Sequence, residues 1–232
     1  MNRYIFSLIL IISCSTAFAQ EELDLDTNYY SAMIERDTNA RVHVGVKLGS
    51  FIQGINYYEN PNTMASDSIS NWNSNNHIGF LFGINMDIKL SPRLYLGTGF
   101  DIAISKISMK AQVGHTQVDT YTNYSTLQIP AWFNFSPKQK SNRLHYGAGA
   151  IMTTDISKYD ERYNRLIRLK IVNLMLGFGF GYRVQLPSKA NMNFDIQLHY
   201  GLFNLVSDED NIYNYSLSSM YLWEVAFYIS MN

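Results

Sequence analysis

From Val172 to Val206 the chain reads VNLMLGFGFGYRVQLPSKANMNFDIQLHYGLFNLV, and large apolar residues fall on alternate positions. Leu174, Leu176, Phe178, Phe180, Tyr182, Val184 and Leu186 alternate with Met175, Gly177, Gly179, Gly181, Arg183 and Gln185. A period of two puts the first set on one face of a strand and the second on the other. Pro187-Ser-Lys-Ala-Asn191 breaks the pattern with turn residues. It then resumes, with Met192, Phe194, Ile196, Leu198, Tyr200 and Leu202 against Asn193, Asp195, Gln197, His199 and Gly201. The spacing predicts a hairpin of two long strands. Soluble strands are commonly about five or six residues long, whereas a strand crossing a bilayer needs about 9–11. One apolar face and one small or polar face over such a length fit a membrane barrel, whose outer wall meets lipid.

The same alternation recurs along the chain. It predicts strands at Arg41–Gly54, His77–Leu90, Leu94–Ser105, Leu127–Phe135, Asn142–Ile156, Val172–Leu186, Met192–Leu202 and Ser219–Asn232. Ile55–Asn76, Lys106–Tyr121, Ser157–Arg165 and Ser207–Ser218 read as long polar connections, and Ser91-Pro92-Arg93 as a tight turn. A slip of phase between Ile171 and Leu174 suggests a β-bulge. Long and short connections alternate, as in small outer-membrane barrels. The expected fold is all-β, an eight-stranded antiparallel up-and-down transmembrane β-barrel, or ten-stranded if Lys106–Tyr121 hides a further hairpin. Tyr57, Tyr58, Trp72, Tyr121, Tyr124, Tyr213 and Trp223 fall near strand ends, where interfacial aromatic girdles sit. A soluble lipocalin-like barrel is the rival at the level of fold.

The N-terminus fits this picture. Arg3, the apolar run Tyr4–Ile12 and Ala17-Phe18-Ala19 form a secretory signal at 1–19. A lipidated Cys14 is the alternative reading of the same segment. Residues 20–40 are acidic and aperiodic, and read as a periplasmic leader; 41–232 is the barrel domain. Net charge is −1, so nothing points to nucleic acid. Only 16% of residues are charged while 14% are aromatic, and no run approaches the roughly 18 apolar residues of a membrane helix.

Candidate chemistry is sparse. His43, His77, His115, His145 and His199 show no metal-ligand spacing and read as hydrogen-bonded or solvated side chains. Ser105 and His115 are a weak nucleophile–base pair, so no enzyme activity is expected, nor any cofactor. Gly177-Phe-Gly-Phe-Gly181 lies inside a strand pattern and is no nucleotide loop. The inward charges are more informative: Lys47, Lys89 and Arg183 share the lumen phase with Asp87, Asp101, Asp195 and Glu224. Eight strands leave an interior only wide enough for side chains, and buried charges need partners. A salt-bridge network plugging the barrel is therefore expected, in preference to a gated conduit.

Several segments together resemble one family. They are Leu127-Gln-Ile-Pro-Ala-Trp-Phe-Asn-Phe135, Arg143-Leu-His-Tyr-Gly-Ala-Gly149, Thr154-Asp155-Ile156, Leu169-Lys170, Gly177–Gly181 and Tyr200-Gly-Leu-Phe-Asn-Leu-Val206. In this order they look like the PorT family of outer-membrane barrels, with Ile129, Pro130, Gly147, Gly177, Gly179, Gly181 and Asn204 at its motif positions. The resemblance implies an outer-membrane protein tied to type IX secretion and gliding. In that family it is described as a protein-translocating porin. An eight-stranded lumen cannot pass a protein, so the expected role is accessory. The expected partners are outer-membrane lipid and other secretion-machinery proteins. A generic structural or surface-binding barrel is the alternative, and a lipid-modifying barrel enzyme the third.

Overall fold

A computed structural model describes residues 42–61, 69–137, 143–157, 167–186, 190–207, 213 and 216–231. The expected signal segment and leader lie outside them. The compact unit Arg41–Asn232 is built of antiparallel strands. These are β1 (Val42–Glu59), β2 (Ile69–Asn75), β3 (His77–Lys89), β4 (Leu94–Val113) and β5 (Thr116–Phe135). They continue with β6 (Arg143–Asp155), β7 (Val172–Gln185), β8 (Asn191–Gly201) and β9 (Leu217–Met231). Eight close a ring in the order β1-β3-β4-β5-β6-β7-β8-β9, with β1 returning to β9. The ninth, β2, continues the line of β3 past Asn76 and pairs with the far end of β4.

Pairing register fixes the dimensions. The row Ser230, Lys47, Gly83, Asp101, Gln128, Thr153, Asn173 crosses seven strands and re-enters β9 beside Met220. A stagger of about ten residues over eight strands gives a tilt of about 40° and a backbone radius of about 8 Å. Side chains from opposite walls meet across that span, so the interior must be packed rather than open.

Even positions of β1, β3, β4, β6, β7 and β8 and odd positions of β5 and β9 face outward along the ring. Val44, Leu48, Ile78, Phe80, Phe100, Phe178 and Phe180 are all more than half exposed. Outward apolar residues on β3 run from Ile78 to Ile88, with Leu90 just beyond, about 30 Å of rise at this tilt. So large an unbroken apolar wall is a lipid-facing surface. The barrel spans a membrane, the outer one. The strand ends joined by the short connection at 90–93 mark the periplasmic end.

The structure corrects several expectations. The connection 106–121 does contain a hairpin, but as the upper arms of β4 and β5, which run unbroken to the turn Gly114-His115. The ring therefore stays at eight strands. Likewise 55–76 is no simple loop, because β1 extends to Glu59 and β2 begins at Ile69. No bulge interrupts β7: its ladder with β6 is regular from Thr154↔Val172, and the slip reflects a bend at Ile171 before the strand. The girdle is also smaller than expected. Tyr58, Tyr200, Tyr221 and Trp223 stand on the outer wall, with Tyr200 stacked on Tyr221 and Tyr58 edge-on to it. Trp72 and Tyr124 are instead buried inside, with Tyr57 and Tyr213 packed against the same interior cluster.

Candidate functional site in the barrel lumen

Among the described residues polar chemistry concentrates in the lumen, and it is layered. Nearest the periplasm, Arg183 on β7 reaches Asp87 on β3 at 3.1 Å and donates from Nε to Asn193 Oδ1 at 2.7 Å. Asn193 Nδ2 donates in turn to Ser230 Oγ at 3.0 Å, and the guanidinium lies 5.0 Å from the centre of the Tyr95 ring. These contacts tie β3, β4, β7, β8 and β9 together across the bore. Just above, His145 Nε2 meets Asp195 Oδ1 at 2.6 Å.

The middle layer holds the deepest charges. Lys47 pairs with Asp101 and lies 4.6 Å from the centre of the Tyr228 ring. His199 Nδ1 is 3.2 Å from Glu224 Oε1 and its Nε2 is 3.1 Å from Gln197 Oε1. His199 and Glu224 are 0% and 1% exposed at the side chain, so a lost partner would leave a polar group out of reach of bulk solvent. Ser105 Oγ donates to Gln53 Oε1 at 2.9 Å.

Glycines make room for this filling. Trp132 on β5 points inward, its indole edge-on to His199 at 5.7 Å. A Cβ at Gly149 would come within 2.9 Å of the Trp132 ring, and one at Gly177 within 3.1 Å of it and 2.6 Å of His199. One at Gly147 would strike the indole nitrogen. Gly147, Gly149 and Gly177 are thus the seat of one tryptophan. Pro130, beside it, has no N–H to donate, and the β4–β5 ladder skips Gly99 and Phe100 opposite Ile129 and Pro130. Gly99 takes a φ of 148° at that gap.

Toward the extracellular end the filling turns apolar. Ile55, Ile69, Trp72, Ile107, Met109, Tyr124, Ile151, Met175, Leu205, Met220 and Leu222 belong to one buried cluster. Trp72 Nε1 donates to Ser216 Oγ at 3.1 Å, Trp72 N to Glu59 Oε1 at 3.1 Å, and the Tyr57 hydroxyl to the Trp72 carbonyl. The first ties β2 to the residue before β9, and the other two hold it against upper β1, where no ladder joins the two strands.

Of the seven inward charges picked from sequence, six enter close polar contacts. Lys89 keeps the inward phase at the periplasmic end, with no ion pair among the described residues. The charges do not form one network. Asp195 and Glu224 take His145 and His199 rather than a lysine or arginine. Those histidines are visible in the sequence only as single polar positions; their inward parity was the usable signal. Among the motif positions, Ile129 faces out, while Pro130, Gly147, Gly177, Gly179 and Gly181 face in. Asn204 fastens the loop after β8 to β9: its Oδ1 accepts from Val206 N at 3.0 Å and Met220 N at 2.9 Å. Its Nδ2 donates to Ser218 O at 3.1 Å.

No catalytic constellation is assembled from the pair considered. Ser105 is buried with Gln53, while His115 is exposed at the hairpin tip ten residues farther along the strand, roughly 30 Å away. Among the described residues no group of three His, Cys, Asp or Glu side chains could hold a metal ion. No family model and no curated protein matches the chain. Solved structures similar in fold include two bacterial outer-membrane proteins. The outer membrane protein OprG from Pseudomonas aeruginosa gives a TM-score of 0.44 at 10% identity, over 81% of this chain and 92% of that one. The translocator domain of the autotransporter NalP from Neisseria meningitidis gives 0.36 at 9% identity, over 93% and 98%.

Proposed function

We propose that this protein is a closed, non-enzymatic outer-membrane barrel that supports protein secretion as an accessory of type IX machinery, acting through its rims and outer wall. The filled lumen carries this reading. Ion pairs, Trp132 and the apolar cluster occupy a bore of about 8 Å backbone radius, which leaves no path for an extended chain. The link to secretion rests on the sequence resemblance to PorT. A strain lacking the gene tests it. Loss of secreted cargo and of gliding, restored by the wild-type gene, is the expected result; an unchanged secretome would remove the secretion role and leave the barrel.

A structural or surface-binding barrel is the second reading, favoured by the sheet β2–β4–β5. It carries β4 and β5 beyond the point where β3 and β6 stop pairing with them. Shortening the hairpin between Lys110 and Asp119 would abolish surface binding under this reading and leave secretion untouched.

A further inference from the structure

The row that climbs from the middle layer into the cap is polar on four successive strands: Asp101 on β4, Gln128 on β5, Thr153 on β6 and Asn173 on β7. All four are at most 3% exposed. Their hydrogen bonding is incomplete within the protein. Asp101 Oδ1, Gln128 Oε1 and both amide atoms of Asn173 have no protein partner, and Thr153 Oγ1 reaches only the Asn173 carbonyl, at 3.5 Å. Buried polar atoms in native proteins are almost always satisfied, by protein or by ordered water.

The chemistry of the row selects the ligand. As oriented, Asp101 Oδ1 and Gln128 Oε1 are both acceptors, and a group that satisfies the two together donates twice. Asn173 presents a donor and an acceptor, which a metal cation cannot satisfy together. Cross-strand neighbours stand about 5 Å apart at Cβ, a gap bridged by one small molecule. The Asn173 amide packs over Gly201, where a Cβ would lie 2.9 Å from Nδ2. Water is the ligand that donates and accepts at this size, and a buried water typically takes about three such partners.

We propose that a file of internal waters bridges Asp101, Gln128, Thr153 and Asn173, so that the barrel is hydrated inside although closed. The file ends under the apolar cluster, at a polar residue flanked by Met175, Gly201 and Leu222.

Synchrotron radiolysis of the folded protein in lipid vesicles tests this, because hydroxyl radicals born from bound water oxidise the side chains beside it. Met175 and Met109 are 1% and 2% exposed, so bulk solvent reaches neither. The expected result is oxidation of Met175 several-fold faster than Met109, falling to the Met109 rate in Asn173→Leu. Equal rates in the wild type would overturn the proposal, as would an undiminished Met175 rate in the variant. If Asn173→Leu does not fold, judged by heat-modifiable gel mobility, Gln128→Leu breaks the file two strands earlier. It should slow Met175 oxidation, and an unchanged rate there counts against the file.

Discussion

The two ends of the lumen are closed by different physics. Toward the periplasm the plug is made of partnered charges, with Arg183 held by Asp87 and Asn193, Lys47 by Asp101, and His199 by Glu224. Toward the outside it is made of apolar side chains from β2, β4, β9 and the loop after β8, closing over Met109 and Met220. A charged plug depends on pairs, because either member alone is a buried ion without compensation. An apolar plug depends on volume, and each side chain contributes through its own contacts. The same wall carries both, because inward positions are free to vary while outward ones must meet lipid.

That contrast predicts how each layer breaks. The largest effect is expected from Asp101→Leu, which strands Lys47: stability should fall by about 3–5 kcal/mol in urea unfolding from vesicles. Adding Lys47→Met to that variant should recover most of the loss, since a pair replaced by apolar residues is often close to neutral. Met220→Ala in the cap should cost about 2–5 kcal/mol through the cavity it leaves, with no second substitution of one partner able to restore it by neutralisation. A failure of rescue in the first case would put the lower plug on the same footing as the upper one.

Smaller changes sharpen the boundary between plug and rim. Asn204→Ala leaves the Val206 and Met220 amides without their acceptor and should lower stability by about 1–3 kcal/mol, with faster proteolysis of the loop after β8. Lys110→Ala removes an ion pair with Asp119 whose side chains are 30% and 40% exposed; a loss of less than about 1 kcal/mol is expected. Unfolding midpoints measured side by side rank the four.

The outer wall was legible in the sequence because lipid imposes one rule on every outward position. Period-two alternation placed Ile78 to Leu90 and Leu174 to Leu186 on the correct face, and with it the inward parity of the charges. Partner choice was not legible, since who meets whom depends on register and stagger around a closed ring. Asp101 and Lys47 stand on strands that are not neighbours, separated by β3 and its Gly83. The apolar cap was hidden for a different reason. Ile107, Met109 and Ala111 continue the inward phase of Asp101 and Ser105, but apolar residues on a lumen face break the lipid-out, polar-in pattern, and the segment reads as a polar loop. Trp72 and Tyr124 misled in the same way, resembling a girdle while serving as interior packing.

Closure of the lumen is the claim on which the rest depends, and conductance reads it directly. The purified chain, folded into a planar lipid bilayer, should show no steady ionic current under applied voltage. A stable open channel in the wild-type protein would contradict the filled lumen and, with it, the accessory role.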